Sequence, residues 1–152
     1  MITEDERRET VLRLYPIFKE EVYRRRDQMM RWTAIGAGSL MTLLLIVLLV
    51  PSVHLLAFPA RLLLASGNLL LTLTFAVIVR QHHDRHRQAK QQLIKLEQAL
   101  NLFEEGPWPV DRPMYPDDWQ TDWTRDRSLL HYLAILTLLT GMTLVAIMLP
   151  AR

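Results

Sequence analysis

Cysteine is absent from the chain, which excludes disulfides and thiolate metal centres. Acidic and basic residues are absent from three long stretches, Thr33–Val50, Leu62–Val79 and Leu129–Leu149. The sequence also has no His-Glu-x-x-His, Gly-x-Ser-x-Gly, Walker or Gly-x-Gly-x-x-Gly pattern. The common signatures of metalloproteases, hydrolases and nucleotide-binding enzymes are therefore missing. Nothing else in the residues points to a catalytic group or a cofactor, and the expectation is a protein that is not an enzyme.

What is present is segregated. Half of the 152 residues are hydrophobic and 22% are charged, and the two populations occupy separate blocks. The three uncharged stretches are 18, 18 and 21 residues long, close to the roughly 20 needed to cross about 30 Å of hydrocarbon. A charged side chain at the centre of a spanning helix costs about 2.5–3.5 kcal/mol, so their absence has a physical reason. The first stretch follows 32 largely polar residues and does not read as a cleavable signal.

Lys and Arg are distributed unevenly: eight fall in residues 1–32 and eight in 80–128, while Arg61 and Arg152 stand apart. By the positive-inside asymmetry, the N-terminus and residues 80–128 are expected in the cytoplasm and the C-terminus outside. Such a chain suits a bacterial inner membrane. The fold class expected is all-α: a three-span transmembrane protein whose first two spans extend into the cytoplasm as an antiparallel helical hairpin. The divisions are 1–32 (amphipathic helix), 33–50, 51–61 (short outer loop), 62–79, 80–105 (coiled-coil-like helix), 106–128 (return segment) and 129–149.

Apolar positions before the first span recur at Val11, Tyr15, Phe18, Val22, Met29 and Trp32, a helical stripe expected to kink or restart at Pro16. After the second span, His82, His86, Ala89, Leu93, Leu96, Leu100 and Phe103 recur at the heptad spacing of four and three. A short outer loop makes the two spans antiparallel neighbours. Val11, Tyr15, Phe18 and Val22 are then expected against Leu93, Leu96, Leu100 and Phe103. Arg24, Arg25, Arg26 and Arg31 gather before the first span, a pattern suited to anionic headgroups. That role accounts for the basic residues without nucleic acid.

The stretch 106–117 holds Pro107, Pro109, Pro113 and Pro116, which forbid a helix. It also carries apolar material in Trp108, Met114 and Tyr115, and its aromatics are expected to cover the Leu93–Phe103 stripe, with Trp119 and Trp123 following in the return segment. Asp117 and Asp118 read as a cap that starts the last helix, with Trp119, Trp123 and Tyr132 as an aromatic belt. Within the spans, Ala34, Gly38 and Thr42 share one face, Asn68 and Thr72 another, and Thr137 and Gly141 a third. Such small or polar series let helices approach closely. Asn68 needs a hydrogen-bond partner in lipid, with Thr42, Thr137 and Thr140 as candidates.

His82 and His86, four apart on one helix face, are weak candidates for a metal pair. Asp84 points elsewhere, and Arg80, Arg85 and Arg87 oppose a cation. The carboxylates of 111–126 alternate with Arg112 and Arg125 and read as surface pairing. The functional expectation is a non-enzymatic membrane scaffold or accessory subunit whose hairpin binds another copy or a membrane-complex partner. The alternative is a small oligomeric membrane effector, of the bacterial defence or toxin kind, that permeabilises or senses the bilayer.

Overall fold

The computed structural model describes residues 4–104, 113–122 and 127–149. Four helices account for most of them: α1 (Glu4–Leu49), α2 (Phe58–Ala99), α3 (Asp118–Asp122) and α4 (Ser128–Met148), with a 3-10 turn at Pro51–Leu55 between α1 and α2. The described chain is all-helical. α1, α2 and α4 are each long and apolar enough to cross a membrane, with mean hydropathies of 2.1, 2.2 and 1.9 over their best windows.

α1 runs unbroken through Pro16, so the helix does not restart there. Proline removes one N–H and leaves the carbonyl of Leu12 without its usual donor. Pro16 and Leu12 both face outward, where water can meet that carbonyl. α2 begins earlier than the apolar stretch suggests, at Phe58, because Pro59 in its first turn needs no donor and favours helix initiation.

α1 and α2 form an antiparallel hairpin, and the numbers of facing residues run in opposite directions. Tyr15 meets Glu97, Val22 clusters with Ala89 and Leu93, Gly36 faces Phe75, and Val47 clusters with Ala65. Internal packing divides the chain into two compact units.

The first unit comprises residues 1–27 and 82–126. Its core is Val22, Ala89 and Leu93, with Tyr15 and Phe18 packed against them. α2 ends at Ala99, short of the expected residue 105, and the stop signal is Asn101. Asn101 has a φ of 55°, and the Leu102 amide donates to the Glu97 carbonyl at 3.1 Å. A left-handed residue followed by a six-to-one bond is the Schellman ending, in which Asn is the usual substitute for Gly. The turn also buries Leu102 and Phe103.

The second unit comprises residues 28–81 and 127–152. Leu44, Val47, Ala65, Ala146 and Ile147 form one apolar cluster, and Leu40, Phe75, Leu136 and Leu139 another. The outward face is apolar too, with Leu63 at 76% and Leu138 at 66% exposure. The outward hydroxyls of Ser39, Thr42, Ser66 and Thr74 each donate to the carbonyl four residues earlier. Each is thereby satisfied within its own helix, as lipid contact requires. Arg61 reaches the carbonyls of Leu56 and Leu149 and so holds the end of α4 beside the start of α2. α4 starts at Arg127–Ser128 without a side-chain cap. The expected cap at Asp117–Asp118 instead begins the separate short helix α3.

Candidate functional site

In the first unit Tyr15, Phe18 and Val22 pack against Ala89 and Leu93, and beside them lies a buried carboxylate. Glu97, one turn beyond Leu93, is 4% exposed. The Tyr15 hydroxyl donates to its Oε1 at 3.4 Å and lies 3.0 Å from the Tyr115 hydroxyl. Burial raises the Glu97 carboxyl above the ordinary carboxylate range, against the opposing effects of the Tyr15 hydroxyl and the Lys19 charge. Burial likewise raises the Tyr15 phenol, helped by Tyr115 and Glu97. Lys19 Nζ lies 5.6 Å from the centre of the Tyr15 ring, which places a cation near the carboxylate.

Tyr115 ties the return segment to this cluster. Its amide donates to the Leu102 carbonyl at 3.1 Å, and its ring sits 5.9 Å from Phe103 and 5.3 Å from Trp119, stacked on the latter. Gln98 donates to Gln120 at 2.8 Å. Residues 115–120 therefore fold onto the end of α2. Trp119 takes part in this packing through its stack on Tyr115 and stays 41% exposed. Trp108 and Trp123 lie outside the described residues. Beside this packing, Gln98, Asn101, Phe103, Glu104, Asp117 and Gln120 line a recess of about 270 Å³.

Val11, Leu96 and Leu100 are half-buried, and Val22, Leu93 and Phe103 are buried. Spacing by itself did not single out Glu97, because a glutamate between apolar residues reads as a solvated position. The one available signal was its place four residues after Leu93, on the same helix face.

His82, His83 and His86 all turn inward, the last two at 8% and 2% exposure, while Asp84 is exposed. Burial depresses the His82 pKa, with the charges of Arg85 and Arg25 acting in the same direction. Among the described residues no three His, Cys, Asp or Glu converge as a metal site. Arg24 and Arg25 pair with Glu21, whereas Arg26 and Arg31 are exposed.

In the second unit Asn68 is 1% exposed and donates to the Thr140 carbonyl at 3.3 Å. The Thr72 and Thr140 hydroxyls are 2.6 Å apart, and Thr72 also donates to the Asn68 carbonyl. Of the three expected partners of Asn68, the fold selects Thr140; Thr42 and Thr137 are exposed. Ala34, Gly38 and Gly141 are exposed as well, and nothing lies within 4 Å of a Cβ built on either glycine. Close approach within the chain falls to Gly36, whose Cβ would stand 2.8 Å from Phe75 Cγ and 3.2 Å from Leu136 Cδ2.

Fold and interior together define a helical protein with three potential membrane-crossing helices and, in the first unit, a hairpin on which Tyr115 and Gln120 pack. No family model, no curated protein and no solved structure matches the chain.

Proposed function

We propose that the chain is a non-enzymatic integral membrane scaffold or accessory subunit whose hairpin mediates self-association or partner binding. The observation that carries this reading is the cluster of Tyr15, Glu97 and Tyr115. It ties α1, the end of α2 and Tyr115 together by hydrogen bonds within the amphipathic hairpin. Such an arrangement suits recognition rather than turnover. On this reading the spans lie in a plasma membrane, with the N-terminus and residues 80–128 cytoplasmic, as the Lys and Arg distribution favours. Arg24, Arg25, Arg26 and Arg31 then adjoin anionic headgroups.

The test is purification in mild detergent with light-scattering mass, alone and after incubation with membrane extract. A discrete oligomer or a stoichiometric complex is expected. A strictly monomeric, partnerless protein overturns the proposal. A reporter fused at Lys95 checks sidedness and is expected to report cytoplasm.

A second reading, an oligomeric effector that permeabilises the bilayer, is favoured by the outward Gly38, Thr42, Thr137 and Gly141, which could pack or line a passage between copies. Dye leakage from liposomes supports it. Tight liposomes and normal growth at high expression remove it.

A further inference from the structure

The outer flank of α1 in the first unit carries an ordered charge pattern of which the hairpin engages only Lys19, over Tyr15. Three basic–acidic neighbours recur along it: Arg8-Glu9, Lys19-Glu20 and Arg26-Asp27. Successive helical residues are turned about 100° from each other. The three pairs therefore form a basic column and an acidic column at matching heights. Between the columns lie Leu12, Pro16 and Tyr23, all exposed, with Leu12 at 53% and Tyr23 at 54%. Glu9 pairs within its own helix with Arg13, and Lys19 leans over Tyr15. Among the described residues Glu20, Arg26 and Asp27 have no ion pair.

We propose that this face binds a second copy of the chain, α1 against α1 in parallel and in register. A two-fold axis parallel to the helix sets the acidic column of one copy against the basic column of the other. Glu20 then meets Lys19 of the second copy, and Asp27 meets Arg26. An antiparallel pair instead opposes like columns and is repelled. Two copies inserted in one bilayer with the same sidedness present α1 in parallel, so the charge pattern and the membrane select the same arrangement. Leu12 and Tyr23 supply the apolar contact along the seam, and the charges fix direction and register more than affinity. The inference rests on the scaffold reading and names its partner.

The absence of cysteine makes the test direct. Tyr23→Cys and Ile17→Cys are expressed separately, isolated membranes are oxidised with copper phenanthroline, and the dimer band is measured. Ile17 is 62% exposed on another side of the helix and serves as the control. The dimer is expected from Tyr23→Cys and not from Ile17→Cys. Adding Arg26→Asp is expected to lower its yield roughly five- to tenfold, since both symmetric pairs become like-charged. Adding Asp27→Arg as well exchanges the columns and is expected to restore it.

Equal crosslinking at both positions, or no rescue by the exchange, overturns the proposal. Light scattering on the same preparations separates the two levels. An oligomer without the Tyr23→Cys dimer, or a monomer that binds another protein, overturns this face and leaves the scaffold reading standing. A partnerless monomer overturns both. Helix content by circular dichroism is expected to stay constant, because every substitution is on an exposed position.

Discussion

The Tyr15 hydroxyl and the Glu97 carboxylate, 82 positions apart in sequence, meet at 3.4 Å inside the hairpin. Tyr115 joins them from the return segment. Removing one hydroxyl from this cluster leaves buried oxygens short of a partner, which costs about 1–3 kcal/mol. Tyr15→Phe is expected to lower the thermal midpoint of the hairpin and to raise proteolysis of the return segment. Limited trypsin digestion with mass spectrometry checks it; an unchanged pattern contradicts the role given to this cluster.

The pH dependence has two opposing parts. Glu97 has a raised folded pKa, so its contribution is present below the ordinary value of 4.5 and is lost as pH rises through the folded value. Glu97→Gln is therefore expected to stabilise the hairpin at neutral pH. His82 has a lowered folded pKa, so its contribution is present above the ordinary 6.5 and is lost as pH falls through the folded value. His82→Gln is expected to flatten the fall of the unfolding midpoint between neutral and mildly acid pH. Midpoints measured across that range for both variants decide the matter.

Gly36 and Gly38 make a matched pair. A methyl group at Gly36 meets Phe75 at 2.8 Å and Leu136 at 3.2 Å, whereas at Gly38 it meets open space. Gly36→Val is expected to destabilise by about 1–3 kcal/mol through overpacking. Gly38→Ala is expected to be neutral or slightly stabilising within one chain. Phe75→Leu added to Gly36→Val is expected to recover part of the loss. Unfolding in mixed micelles by near-ultraviolet circular dichroism reads all three.

Asn68 and Thr72 both lean on Thr140. Asn68→Ala is expected to cost about 0.6–2 kcal/mol, the range for interhelical hydrogen bonds in membranes. Thr72→Val and Thr140→Val are expected to be non-additive, because their hydroxyls touch at 2.6 Å. A double-mutant cycle on the unfolding free energy measures that coupling; strict additivity contradicts it.

Asn101 holds the left-handed turn after α2, with a φ of 55°. Asn101→Gly is expected to be neutral or stabilising, and Asn101→Val to cost about 1–2 kcal/mol, because a branched Cβ crowds the backbone there. Hydrogen exchange at the Leu102 amide, whose bond to Glu97 depends on that turn, reports the difference.

Much of the architecture was legible in the residues. Three uncharged runs of crossing length and two stripes of helical period required long helices, and a short connection required α1 and α2 to run antiparallel. Those features depend on local composition and on the helical repeat, which the chain carries in itself. Periodicity states which side chains share a face, but not which face another helix will cover. That choice belonged to the tertiary structure. Packing turned Gly36 inward and Gly38 outward, chose Thr140 for Asn68, and drew Glu97 into the interior, where the Tyr15 hydroxyl, itself bonded to Tyr115, donates to it. It also ended α2 just before Asn101, whose backbone, unlike that of a β-branched residue, tolerates the left-handed turn that lets Leu102 and Phe103 be buried.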